Sequence, residues 1–141
     1  MRKAIIILCL FFLCICFGWG CTKKGLTKEE ISDKGEELDF TVCKEENIPK
    51  ELKEIIYKKK ENPFQISFSN QAYMYYVIGY GTQPTSGYSI LVQNIELKNK
   101  KIYVDTLLLG PQKNEKIEKK ESFPYVVIKL EKREEDAIFL V

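Results

Sequence analysis

Few residues in this chain have the types and spacing that enzyme chemistry requires. Histidine is absent, which removes the commonest general base and a leading ligand for transition metals. Serine–histidine, cysteine–histidine and histidine-ligated zinc sites are therefore excluded. Lysine, serine and carboxylates would still allow a Ser/Lys dyad or a carboxylate pair, yet no spacing singles one out. Of the five cysteines, Cys9, Cys14 and Cys16 lie in an apolar N-terminal run and Cys21 closes it, leaving Cys43 alone in the rest of the chain. An intrachain disulfide framework is ruled out on that arithmetic. Cys43 follows the alternating Leu38, Phe40 and Val42 and is expected to be a buried thiol, with no histidine to lower its pKa. The expectation is a protein with no catalytic residue, no cofactor and no metal.

The most specific stretch is Tyr80-Gly81-Thr82-Gln83-Pro84-Thr85-Ser86-Gly87-Tyr88-Ser89-Ile90. Its two glycines permit positive φ or close backbone approach, Pro84 fixes φ, and Thr85 and Ser86 can bond the local backbone. A stiff loop between two strands is expected, suited to docking rather than to bond-breaking. Tyr88 and Tyr80 are the side chains on which recognition would centre, with Thr85 and Ser86 as orienting hydrogen-bond partners.

The N-terminus says where such a loop would work. Arg2 and Lys3 precede an unbroken apolar run from Ala4 to Gly20, the layout of an export signal. As a helix it would span about 25 Å, short of a bilayer core of about 30 Å. Cys21 follows Gly20 and precedes Thr22-Lys23-Lys24, so it resembles the lipid-accepting cysteine of a bacterial lipoprotein signal. The match is incomplete, because Gly18 and Trp19 stand where leucine and a small residue are usual. Lipidation at Cys21 is the reading preferred over an uncut anchor or ordinary cleavage, and the protein is expected outside the cytoplasm, held to a bacterial membrane. The 22 basic and 20 acidic residues become 20 of each once Arg2 and Lys3 are set aside. A near-neutral chain lacks the basic surplus that displaces phosphate counterions, so nucleic acid is not an expected partner.

Three segments follow: a signal over 1–20, a polar tether over 21–37 with a reach of roughly 50 Å, and a single domain over 38–141. Within the tether, Thr27-Lys28-Glu29-Glu30 has capping-box spacing. In the domain, Leu38 to Lys44 predicts a first strand. Pro49 to Lys60 predicts a helix whose Ile48, Leu52, Ile55 and Ile56 form one stripe. Period-two patterns then run over Phe64–Phe68, Tyr73–Tyr80, Tyr88–Leu97, Ile102–Leu109 and Phe123–Leu130. Tyr73, Tyr75 and Tyr76 add aromatic bulk, with alternate members expected in the core. A phase slip between Val92 and Ile95 predicts a bulge near Gln93-Asn94, and Lys98-Asn99-Lys100-Lys101 a tight hairpin turn. Gln112 to Glu121 is a polar connection, and Ile138 to Val141 a short apolar end. The fold class is α+β: one helix packed on a mainly antiparallel sheet or small β-sandwich.

The loop, taken with Tyr103 and the strand Phe123-Pro124-Tyr125-Val126-Val127-Ile128-Lys129, resembles the C-terminal domain of the PrcB family of protease-complex components. In that family a Gly-x-x-Pro-Thr-x-Gly-Tyr-Ser loop and a later Pro-Tyr strand recur. The resemblance covers Tyr73 to Leu130, and the insert Gln112 to Glu121 departs from it. It implies a bacterial surface or periplasmic protein, often a lipoprotein, that stabilises an extracellular protease assembly without cleaving anything itself. The partner-binding residues would be Tyr80, Gln83, Pro84, Thr85, Ser86, Gly87 and Tyr88. The stretch Gln83-Pro84-Thr85-Ser86-Gly87-Tyr88 is also similar to the Asn-Pro-Thr-Thr-Gly-Tyr loop of chagasin-type inhibitors of papain-like proteases. The companion loops of those inhibitors are missing here, because Arg133 is followed by Glu134 and Trp19 is the only tryptophan. A carbohydrate-binding module using tyrosine faces is a third class.

Overall fold

The structure is a computed structural model and describes residues 34–141. The signal, Cys21 and the Thr27 capping box lie outside the described residues. Among the described residues, eight strands and one α-helix follow in chain order: β1 (Glu36–Glu37), β2 (Thr41–Val42), α1 (Lys50–Lys59), β3 (Pro63–Ser69), β4 (Tyr73–Tyr80), β5 (Ser89–Lys98), β6 (Lys101–Leu109), β7 (Tyr125–Glu131) and β8 (Asp136–Leu140). They form two four-stranded sheets, here sheet A in the order β1-β5-β6-β8 and sheet B in the order β2-β7-β4-β3. Every pairing among them is antiparallel except β6 with β8. The fold is thus α+β, with the sheets stacked as a sandwich and the helix on the outer side of sheet B.

Two apolar clusters hold these layers, and they meet in sheet B. Between the sheets lie Leu38, Tyr76, Ile78, Ile95, Ile102, Val104, Val126, Ile128 and Leu130. On the helix side, Ile48, Leu52 and Ile56 pack on Phe64, Tyr75, Val77 and Val127. Alternate residues of β4 and β7 therefore point into different cores, which is why both strands read as nearly continuous apolar runs. The helical stripe is the expected one at Ile48, Leu52 and Ile56, which are buried, whereas Ile55 is only half-buried and lies outside both clusters. Pro49 sits at the N-cap, where its missing donor has no cost.

The hairpin expected at Lys98-Asn99-Lys100-Lys101 forms, with φ of 52° at Asn99 and 59° at Lys100, the left-handed pair of a type I′ turn. The bulge lies between Val92 and Asn94. It returns Ile95 and Leu97 to the face of Ile90 and Val92, so all four reach the inter-sheet core.

The first expected strand is different. Leu38 to Lys44 is not continuous: Glu36–Glu37 pair with β5 of sheet A, and Thr41–Val42 pair with β7 of sheet B. The chain switches sheets at Leu38, whose buried side chain plugs the inter-sheet core while its N–H donates to the Ile95 carbonyl at 2.9 Å. Phe40 and Val42, expected on the same face as Leu38, are left exposed because the backbone turns between the two pairings. The apolar C-terminal end is organised as the edge strand β8, parallel to β6.

Sheet B leaves no room for a side chain at Gly79. Gly79 lies opposite Phe64 on β3, and a Cβ at Gly79 would fall 2.2 Å from the Phe64 ring. Gly79→Ala should lower the unfolding free energy by about 2 kcal/mol or more, measured by chemical denaturation. A change below about 0.5 kcal/mol would mean that the Phe64 ring does not lie against this backbone.

Candidate functional site

The loop Gly81–Tyr88 carries the chain from β4 in sheet B to β5 in sheet A, so it closes one end of the sandwich. Its polar groups are largely engaged within the protein. Thr82 donates to the Glu61 carbonyl through both its N–H and its Oγ1, at 3.1 and 3.0 Å. Gln83 and Ser122 exchange backbone hydrogen bonds at 2.8 and 3.0 Å, and Gln83 Nε2 donates to the Tyr80 carbonyl. Ser122 Oγ donates to the Thr85 carbonyl at 2.6 Å. The Ser86 N–H donates to the Glu118 carbonyl, and Ser86 Oγ accepts from the Glu118 N–H at 2.9 Å. Thr85 Oγ1 turns to the Ser86 carbonyl.

This loop is stiff, as its composition implies, but much of the stiffness comes from a segment far away in sequence. The polar connection 112–122 runs against it and supplies the bonds to Gln83, Thr85 and Ser86. Gly81 and Gly87 have φ of +73° and +88°, and a Cβ at Gly87 would sit 2.8 Å from the Pro111 side chain. The turn thus needs glycine both for its backbone and for the approach of the next loop. Pro84 is exposed, whereas Thr85, Ser86, Gly87 and Tyr88 are half-buried.

Tyr80 has a structural position. It packs on the inter-sheet core, and its hydroxyl lies 2.9 Å from Thr106 Oγ1 on β6. Thr106 is buried, and this hydrogen bond crosses from one sheet to the other at the loop end. Tyr75 and Tyr76 are buried on opposite faces of β4. Tyr73 is exposed, with Lys129 Nζ 4.6 Å above its ring.

A neighbouring surface was missed in the sequence. Leu91 on β5 and Leu107 on β6 are direct cross-strand partners on the outer face of sheet A, and Leu109 continues that face toward the loop. They are 47, 45 and 40% exposed. The signal was available in Leu107-Leu108-Leu109: in a strand of a two-layer sandwich, alternate members of such a run must face away from the core.

Cys43 and Tyr125 are both shifted toward their neutral forms. Cys43 is half-buried rather than buried, and this partial burial still raises its thiol pKa, with Lys129 only partly opposing it. The Tyr125 phenol is raised by burial and by its hydrogen bond to Glu45, which also accepts from the Tyr57 hydroxyl. Neither thiol nor phenol is an activated nucleophile at neutral pH. Among the described residues no group of cysteine and carboxylate side chains is arranged to hold a metal ion.

The Tyr80–Thr106 bond yields a direct test. Tyr80→Phe should cost about 1–2 kcal/mol of stability by denaturation, because the Thr106 hydroxyl stays buried without its partner. Unchanged stability would mean that the two sheets are not joined by this bond.

No curated protein and no solved structure matches the chain. Residues 74–131, which span less than half of the chain but contain most of β4, all of β5, β6 and β7, and the braced loop, match the family model described as PrcB C-terminal. Over that segment the protein resembles the PrcB C-terminal family.

Proposed function

We propose that this protein is a non-catalytic accessory protein, exported and held at a bacterial membrane through Cys21, that binds and stabilises a partner in an extracellular protease complex. The observation that carries this reading is the PrcB C-terminal match over residues 74–131, because it includes the loop whose shape the surrounding chain maintains. The absence of histidine and the neutral state of Cys43 and Tyr125 agree with a role that leaves peptide hydrolysis to the partner.

Contact is made at the loop end of the sandwich. Pro84 and the exposed parts of Gln83 and Tyr88 form its tip, Thr85, Ser86 and Gly87 hold its shape, and Tyr80 anchors it from below. The strip Leu91, Leu107 and Leu109 extends the surface down sheet A with apolar area of the kind that dominates binding energy once water is excluded. A partner seated there covers three leucines otherwise left in solvent.

Chemical cross-linking on intact cells, followed by identification of the joined protein, tests the reading. Replacing Pro84-Thr85-Ser86-Gly87 with a neutral linker should reduce the cross-linked product about tenfold or more. The double substitution Leu91→Lys, Leu107→Lys should reduce it several-fold while the domain stays folded. Cys21→Ser should release the protein from the membrane fraction. Undiminished cross-linking in both surface variants, or proteolysis of casein by the purified chain alone, would overturn the proposal.

A further inference from the structure

At the other end of the sandwich the two sheets do not match in width. Phe64, Ile66 and Phe68 of β3 face the helix, so Gln65, Ser67 and Ser69 face the side on which sheet A lies. All three are nevertheless exposed. Sheet A ends at β8, whose Phe139 packs edge-on against Tyr76 of β4 at 5.8 Å, and among the described residues no strand lies beyond β8 to cover β3. The result is a cleft of about 280 Å³ between the two free edges, lined by Ser67, Ser69, Tyr76, Arg133 and Ala137 among others.

One donor in this cleft lacks an acceptor. Tyr76 is 1% exposed, and its hydroxyl has no hydrogen-bond partner. The neighbouring Arg133 is already engaged: its Nη2 donates to Glu135 Oε1 and its Nε lies 3.4 Å from Glu135 Oε2 as an ion contact. A buried hydroxyl left unpaired is destabilising, so an acceptor placed there would be favoured. An anion is a poor candidate, because Glu134, Glu135 and Asp136 outnumber Lys132 and Arg133 around the opening. A neutral carbonyl fits.

The edge beside the cleft requires the same group. Strand β8, Asp136-Ala137-Ile138-Phe139-Leu140, has one charge at its start and none of the lysines, prolines or bulges that usually protect an exposed edge. Its outward backbone groups await carbonyls and N–H groups in extended register. We infer that this cleft receives an extended polypeptide segment of a partner protein, which adds to β8 as a fifth strand of sheet A, covers Ser67 and Ser69, and gives Tyr76 a carbonyl acceptor. Strand addition to a free edge is an established recognition mode in which the backbone supplies affinity and the flanking cleft supplies selectivity. This edge is independent of the loop at the opposite end, and strand addition here stands even if the protease-complex reading fails.

The test uses the full-length chain in detergent micelles and a phage-displayed library of short random peptides. Selected peptides, synthesised and added in solution, should slow amide hydrogen exchange over 137–140. Methylating their alternate backbone nitrogens should abolish binding. Tyr76→Phe should weaken binding about fivefold without lowering thermal stability, since it removes a hydroxyl that has no partner. Strand addition is overturned if no selected peptide protects that edge, or if binding ignores both the Tyr76 hydroxyl and backbone methylation. It is equally overturned if the protected edge proves to be filled by a second copy in a concentration-dependent dimer.

Discussion

Sheet B must be covered on both faces, and the rest of the architecture answers that requirement. Its central strands β4 and β7 carry apolar side chains on both sides: Tyr76, Ile78, Val126 and Ile128 toward sheet A, and Tyr75, Val77 and Val127 toward the helix. Neither face could remain in water without forfeiting a large part of the burial that offsets chain entropy. Helix α1 closes one side and sheet A the other. Sheet A, covered on one face only among the described residues, shows the alternation of a half-buried sheet and turns its remaining leucines outward.

The loop end and the open edge follow from this layering. A chain that leaves sheet B at Tyr80 and enters sheet A at Ser89 must cross the thickness of the sandwich, and it does so through two left-handed glycines and a proline. The Tyr80–Thr106 hydrogen bond fastens the two sheets just below that crossing. The connection 112–122 makes a second crossing, from sheet A back to sheet B, and the two crossings share hydrogen bonds. Their mutual bracing maintains a surface shape in segments of low apolar content, where packing could not. At the opposite end the connection 132–135 crosses from β7 to β8, and among the described residues it leaves β3 uncovered and the cleft beside Tyr76 open.

Much of this was legible in local pattern. The Ile48, Leu52 and Ile56 stripe, the bulge at the Val92–Ile95 phase slip and the Asn99-Lys100 turn each depend on a period or a backbone preference that a few residues carry. The glycine positions of the motif were legible for the same reason. Leu38 to Lys44 misled because its alternation is compatible with one strand in one sheet. The chain instead divides its backbone pairing between two sheets, and period two does not report which partner accepts each bond. The bonds that Thr85 and Ser86 make with residues 118–122, more than thirty positions away, are carried by no local pattern.

The order of amino acids therefore specified the kind of elements, their faces and the conformationally demanding turns, since these are properties of short stretches of backbone and side chain. It also removed histidine-dependent chemistry outright. Which polar groups would be spent on internal bonds, which leucines would be left in solvent, and that the Tyr76 hydroxyl would be buried with no acceptor depended on contacts between remote strands. Such contacts are set by how two sheets of unequal coverage stack, and a side chain's surroundings are complete only when that stacking is made.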